Sequence, residues 1–306
     1  MRLAHVSDLH LLSPMGIEWH RILFNKRITG LTKLLLHRAR MYNEQHLLAV
    51  LGAAANEADH LVVTGDLTNL SLESEYAHAR QILDRLAEKV EVTVIPGNHD
   101  LYLQDIVRRR RFAHYFGAYM RSEMPELQAV APAGLFPFVK LRGPVALIGL
   151  SSAVPRPPFV SAGYLGRAQI AVLRAIVAAP EVASRTPIVL VHHDPLDSRF
   201  RLEQIRSGLV DAPSLRDAVW PLRRGMILFG HLHVRRYRRM DTAAGAIHVV
   251  SASGASLEHA DDRIRAGFNL YTIGGDGAIR SIEARVLDPM SQAFRHYDLA
   301  AQGRTA

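Results

Sequence analysis

Short apolar runs alternate along the chain with segments of helical period. RLAHVSD (2–8), DHLVVTGD (59–66), VEVTVIPGNHD (90–100), PVALIGLSS (144–152), PIVLVHHD (187–194) and GMILFGHLH (225–233) read as strands, because a short unbroken apolar run between turn signals suits a strand covered on both faces. Residues 43–58, 72–89, 166–179 and 213–220 carry helical patterns between them, and in 72–89 Tyr76, Ala79, Ile82, Leu83 and Leu86 share one face. Pro213 and Ser214 suit a helix start. AIHVVSASG (246–254), FNLYTIGG (268–275) and AIRSIEARVL (278–287) make the C-terminal end β-rich. The alternation predicts an α/β fold with helices on the faces of a sheet. The helix-poor last third predicts a second, partly antiparallel sheet. No internal repeat or low-complexity segment interrupts the pattern.

The residues just past each strand are as regular as the strands. The ends read SDLH, TGDLTN, PGNHD, VHHD and GHLH, which places Asp8, His10, Asp66, Asn98, His99, His192, His193, His231 and His233 just beyond five apolar runs. Turn chemistry accounts for one Asn or Asp after a Pro-Gly. Five ends of the same character point to a shared site, since ligands gather at the carboxyl edge of α/β sheets. The chain has no cysteine among its 306 residues, so thiolate metal sites, disulfides and a Cys nucleophile are excluded. Imidazole, carboxylate and carboxamide donors suit Mn, Fe or Zn.

One divalent cation takes about four to six ligands, and this set suffices for two if a carboxylate bridges them. Asp66 is the natural bridge, on a strand placed between the first and the third. Two cations about 4 Å apart clamp an in-line displacement at phosphorus and lower the pKa of a shared water, so the nucleophile is a hydroxide rather than a side chain. Asp8 with His10, and His231 with His233, are spaced so that extended backbone points both members of a pair the same way. Gly65, Gly97 and Gly230 precede ligands, where the backbone must turn and approach closely.

Asp-x-His, Gly-Asp-x-x-Asn, Gly-Asn-His-Asp, His-His and Gly-His-x-His, in this order over residues 1–255, resemble the calcineurin-like metallophosphoesterase superfamily. The resemblance implies a four-layer α-β-β-α sandwich of two mixed β-sheets flanked by helices. It implies that Asp8, His10, Asp66 and His233 hold a first metal, and Asp66, Asn98, His192 and His231 a second. His99 would stand beside the phosphoryl group, stabilising it or protonating the leaving oxygen, with Asp100 orienting it. His192 and His193 both remain candidate ligands, the family's strand-His-turn pattern favouring His192. His193 and Asn69 are candidate substrate contacts; many members have Asp where Asn69 stands. The length and GDLTNLSLESEY are similar to bacterial class III phosphodiesterases of the cyclic-nucleotide and glycerophosphodiester type. The implied domain runs over 1–285, with a basic insert at about 18–42 and a C-terminal tail at 286–306.

Charge adds the question of partners. The formal net charge is +8, which favours anionic partners. Residues 20–42 set Phe24, Ile28, Leu31 and Leu35 at helical spacing among Lys26, Arg27, Lys33, Arg38 and Arg40, a basic amphipathic pattern suited to peripheral contact with a membrane or to packing over a sheet edge. Arginine runs at 108–111 and 235–239 flank the strand-end blocks and could gather a phosphate ester, whether a cyclic nucleotide, a glycerophosphodiester or a lipid-linked phosphate. Nucleic acid is a weaker reading, because aromatic residues for base stacking are thin there. Asp194 and Asp197 read as solvated loop residues, His5 and His248 as strand residues. The N-terminal residues lack a signal-peptide core and no run reaches bilayer length, so the expectation is a cytoplasmic protein, at most peripheral to the inner membrane. A non-catalytic scaffold on the same fold, and a nuclease, are the alternatives to a phosphoesterase.

Overall fold

The computed structural model describes residues 1–12 and 42–302. The basic segment expected at 18–42 lies, apart from Tyr42, outside the described residues. Strands β1 (Arg2–Val6), β2 (His60–Val63) and β3 (Glu91–Val94) pair in parallel, with α1 (Glu44–Glu57) and α2 (Glu73–Ala87) in the crossovers. Two short helices, α3 (Gln104–Arg108) and α4 (Arg111–Phe116), lead to a small ribbon of β4 (Ala129–Ala131) and β5 (Gly134–Phe136). Then come β6 (Phe138–Arg142), β7 (Val145–Gly149), α5 (Arg167–Ala178), α6 (Pro180–Ala183) and β8 (Thr186–Leu190). After α7 (Arg201–Ser207), α8 (Ala212–Val219) and β9 (Met226–Phe229) the chain is β-rich: β10 (Arg236–Thr242), β11 (Gly245–Ser251), β12 (Gly267–Ile273), β13 (Ile279–Leu287) and β14 (Phe294–Asp298), closed by α9 (Leu299–Gln302).

The large sheets run β14-β13-β12-β1-β2-β3 and β10-β11-β9-β8-β7-β6. They stack face to face, and the period of two decides which side each residue serves. Leu147, Ile188, Leu190, Met226 and Leu228 join Leu3, Val62 and Tyr271 in the inner core. Their neighbours Ala146, Ile148, Val189, Ile227 and Phe229 pack outward against Ile170, Leu173 and Ile176 of α5 and Leu215 and Val219 of α8. Helices α1 and α2 bury Leu47, Val50 and Leu51, and Tyr76, Ala79 and Leu83, with the first sheet's core. The result is the four-layer α-β-β-α arrangement. Strands buried on both faces explain why the sequence reads as unbroken apolar runs rather than alternation.

The last third does not build a second sheet of its own. β10 and β11 extend the sheet of β9, whereas β12, β13 and β14 extend the sheet of β1, with β12 antiparallel to it. Residues 286–302, expected as a tail, carry edge strand β14, whose Phe294 packs against Phe268, and α9, which buries Leu299. No helix among the described residues is long and apolar enough to cross a membrane.

Register is what builds the site. Val6 pairs with Val63, and Val63 with Val94, so Asp8, Asp66 and Asn98 leave their strands at one level. In the other sheet Leu190 pairs with Leu228, which levels His192 with His231. The local caps fix the crossovers: Asn43 accepts the amides of Gln45 (2.9 Å) and His46 (3.3 Å) to start α1. The buried Glu75 carboxylate accepts those of Leu70 (2.9 Å) and Leu72 (3.0 Å) ahead of α2.

Candidate metal centre

The carboxyl ends of both sheets face each other, and two donor sets form there. One contains Asp8, His10, Asp66 and His233; the other Asp66, His192 and His231. His10 Nε2 lies 3.1 Å from His233 Nε2, 4.0 Å from Asp8 Oδ1 and 3.9 Å from Asp66 Oδ2. His233 Nε2 is 3.2 Å from Asp8 Oδ1. His192 Nε2 is 3.4 Å from Asp66 Oδ2 and 3.2 Å from Asn98 Oδ1. One oxygen, Asp66 Oδ2, therefore belongs to both sets. Its partner Oδ1 accepts the His99 amide at 2.8 Å, which fixes the carboxylate's rotation.

The backbone is bent to achieve this. Asp8, His10, Asp66, His231 and His233 all have positive φ, between 49° and 68°. Left-handed conformations cost a non-glycine residue about 1–3 kcal/mol and cluster where function requires them. They also correct the sequence geometry: Asp8 and His10 converge through left-handed turns, not as alternate residues of an extended strand. The chain leaves no room for other side chains around the turns. A Cβ on Gly65 would meet Gly97 N at 2.6 Å and His192 Nδ1 at 2.8 Å, and one on Gly230 would meet Asp8 Oδ2 at 2.5 Å.

Two of the inward histidines, His192 and His231, are oriented from behind. His192 Nδ1 donates to the Thr64 carbonyl (2.7 Å), leaving Nε2 for the cluster. His231 Nε2 donates to the Ser207 carbonyl (2.8 Å), leaving Nδ1. Carbonyls behind imidazoles set the tautomer that ligation needs. Residue pattern carries no signal for these carbonyls, nor for Tyr42, whose ring lies 4.9 Å from His10 and 6.4 Å from His233.

The electrostatics favour a cation. Burial works against the charge on Asp8 and Asp66, yet His233 and His192 beside Asp8, and His192 and His99 beside Asp66, hold both well below the usual carboxylate range. Burial likewise opposes a proton on His192, but Asp66 and Asp8 raise it to about 9. Burial and then the His192 charge push His231 down to about 3. Asp8 Oδ1 is buried and lacks a hydrogen-bond donor. Lone-pair donors crowded this closely, with the carboxylates ionised, fit divalent cations, and the N/O donor set is that of Mn, Fe or Zn.

Three expected roles look different in the structure. His193 turns away from the cluster: its Nε2 donates to the Ser161 carbonyl (2.8 Å), its Nδ1 meets Ser152 Oγ (2.7 Å), and burial keeps it neutral. Both ring nitrogens are therefore engaged outside the two donor sets, although the ring packs 4.4 Å from that of His231. Asn69 is buried, its amide donating to the carbonyls of His10 (2.5 Å) and Leu11 (3.0 Å), so it clamps the first ligand turn. Asp100 does not orient His99. Its carboxylate accepts the amides of Gly97 (2.9 Å), Leu67 (3.2 Å) and Thr68 (2.9 Å), tying the second ligand loop to the third; burial and the Asp66 charge raise its pKa to about 7. The Asn69 carbonyl is what holds His99, through Nδ1 at 2.6 Å.

Four arginines of the two runs are engaged within the chain. Arg235 is buried against Asn269, Ser253 and the Asp262 carbonyl. Arg238 pairs with Asp194 at 2.5 Å, so Asp194 is a buried anchor rather than a solvated loop residue. Arg109 pairs with Asp105 and Arg111 with Glu73.

The model of the family described as calcineurin-like phosphoesterase matches residues 1–235. The chain belongs to the calcineurin-like phosphoesterase family. Among solved structures it is similar to a purple acid phosphatase from yellow lupin seeds, at a TM-score of 0.60 and 13% identity over 97% of this chain and 52% of that one. It is also similar to the sulfate thiohydrolase SoxB of Thermus thermophilus, at 0.51 and 18% over 99% and 59%. The chain thus spans between half and three fifths of these two proteins, and at such identities the likeness concerns the fold. No curated protein matches it in sequence. The chain thus combines the family's fold with two donor sets fit for divalent cations.

Proposed function

We propose that this chain is a metal-dependent phosphoester hydrolase acting on phosphodiesters. Asp8, His10, Asp66 and His233 would hold one divalent cation, and Asp66, Asn98, His192 and His231 the other. The observation that carries the reading is the placement of Asp66 Oδ2 between the two sets, 3.9 Å from His10 Nε2 and 3.4 Å from His192 Nε2. The chemistry such a pair supplies when bound is Lewis acidity at phosphorus and a lowered pKa for the attacking water.

The chain's own residues do the positioning. The His99 ring sits edge-on to His10, 4.9 Å between centroids, and stacks on Tyr102 at 5.8 Å. With Nδ1 committed to the Asn69 carbonyl, Nε2 is the nitrogen through which His99 would steady the phosphoryl group or protonate the departing oxygen. That help matters most for a poor alkoxide leaving group, as in a diester of an alcohol. The resemblance of GDLTNLSLESEY to cyclic-nucleotide and glycerophosphodiester enzymes supports the same preference. A non-catalytic scaffold would have no need of a complete donor set, and every ligand position here is filled.

A substrate panel on manganese-loaded protein tests the proposal: a chromogenic diester, the matching monoester, a cyclic nucleotide, a glycerophosphodiester and a lipid-linked pyrophosphate. Diester turnover above monoester turnover, abolished by a chelator, is expected. Turnover of the monoester alone, or none at all, contradicts it.

A further inference from the structure

Helix α7 is unusual in burying no residue. Around it, Phe200 is 86% exposed, Leu202 67%, Ile205 60% and Val210 58%. These large apolar side chains form a patch, and contiguous exposed apolar surface on a folded domain marks a binding surface. The patch is fastened to the metal centre. The Ser207 carbonyl, at the last residue of α7, is the one that holds His231 (2.8 Å). Arg206 O accepts the Ser161 amide at 2.7 Å, and Gly208 O that of Gly163 at 2.9 Å.

The polar residues beside the patch select the partner. Arg199, Arg201 and Arg206 stand against the single carboxylate of Glu203 within residues 199–210. Arg199 is neutralised by Asp197 at 2.6 Å. Arg201 and Arg206 are exposed and pair with no carboxylate among the described residues. A second copy of this chain docked on the same face would set these arginines against themselves. An anionic bilayer surface satisfies both features, taking the apolar side chains into the headgroup boundary and the guanidinium groups among the phosphates.

We infer that the α7 face docks on an anionic lipid surface and presents the metal centre to phosphoesters carried by amphiphiles in that surface. The inference rests on the hydrolase reading for its substrate class, and on the patch itself for the docking. An acyl chain held at Phe200, Leu202 and Ile205 would bring its phosphate toward His231 across the carboxyl end of α7.

Sedimentation with vesicles of phosphatidylglycerol and phosphatidylcholine tests it, comparing wild type with F200S/L202S/I205S and with R201E/R206E. Wild type should pellet with anionic vesicles and be released by salt. The apolar variant should partition at least tenfold less, and the charge variant should lose its preference for phosphatidylglycerol, while both hydrolyse a soluble chromogenic diester at the wild-type rate. Equal partitioning of wild type and the apolar variant overturns the inference. So does absence of vesicle binding together with a dimer that the apolar variant abolishes, which would make the patch a protein interface. Patch-dependent vesicle binding by a protein inert toward every phosphoester would support the docking surface and sink the hydrolase reading alone.

Discussion

At the scale of single residues, the site divides into atoms that would touch cations and atoms that hold those residues in place. His99 lies in neither donor set: its ring is pinned through Nδ1 to Asn69 O and lies beside His10. His99→Ala should therefore keep both metals by elemental analysis while kcat falls about 10²–10⁴-fold, most with poor leaving groups; loss of metal would make His99 a ligand instead. Asp66→Asn should lower occupancy of both cations, whereas Asp8→Asn should empty mainly one, because Asp8 Oδ1 faces the imidazoles of His10 and His233 while Oδ2 is taken up by the His231 amide at 3.0 Å. Equal losses from the two variants would contradict a bridging role for Asp66. The inward residues are legible in the sequence because each closes an apolar run. The positioning partners are not. His193 and His192 are adjacent and chemically identical in the sequence, and only the hydrogen bonds to Ser152 and Ser161 separate a packing histidine from an inward one. Asn69 reads as a substrate contact and Asp100 as the group orienting His99, because residue type cannot reveal that they are bound mainly to backbone atoms.

At the scale of elements, the parallel strands with their turns form the working unit. The space at Gly230 is filled by Ser7 and Asp8. Gly230→Ala should accordingly displace Asp8, strip metal and lower kcat by about a hundredfold, the effect expected of losing one ligand's orientation. Gly52, inside α1, has no atom within 4 Å of an added Cβ. Gly52→Ala should stabilise the fold by about 0.5–1 kcal/mol, seen as a Tm higher by roughly 2 °C with activity unchanged. A destabilised Gly52→Ala, or a fully active Gly230→Ala, would count against the packing described. The doubly buried strands are recognisable in type because unbroken apolar runs announce them. Edge strands β6, β10 and β14 escape the sequence pattern: RYRRMDT and FRHYD lie at or near solvent, and their polar residues imitate a loop. The division of the C-terminal strands between two sheets depends on pairings hundreds of residues apart, such as Leu3 with Tyr271, to which no local pattern is sensitive.

For the whole molecule, stability should depend on pH through histidines kept neutral inside it. Burial pushes His60 down to about 4 and His5 to about 3; their ring nitrogens bond Thr93, and Tyr271 and Thr64. The folded state thus binds fewer protons than the unfolded chain between these values and the ordinary histidine value of about 6.5. Stability is complete above that window and is lost as pH falls through it, by up to about 1.4 kcal/mol per pH unit for each histidine. Denaturant melts should show His60→Gln with a shallower acid dependence than wild type; parallel curves would contradict a neutral buried His60. Fold and chemistry converge on the proposal that two cations share Asp66 where the sheets meet. Anomalous diffraction at the manganese edge from a soaked crystal locates them. Two peaks should appear, both bonded to Asp66, one also to Asp8, His10 and His233, the other to Asn98, His192 and His231. A single peak, or peaks away from Asp66, would overturn the shared site.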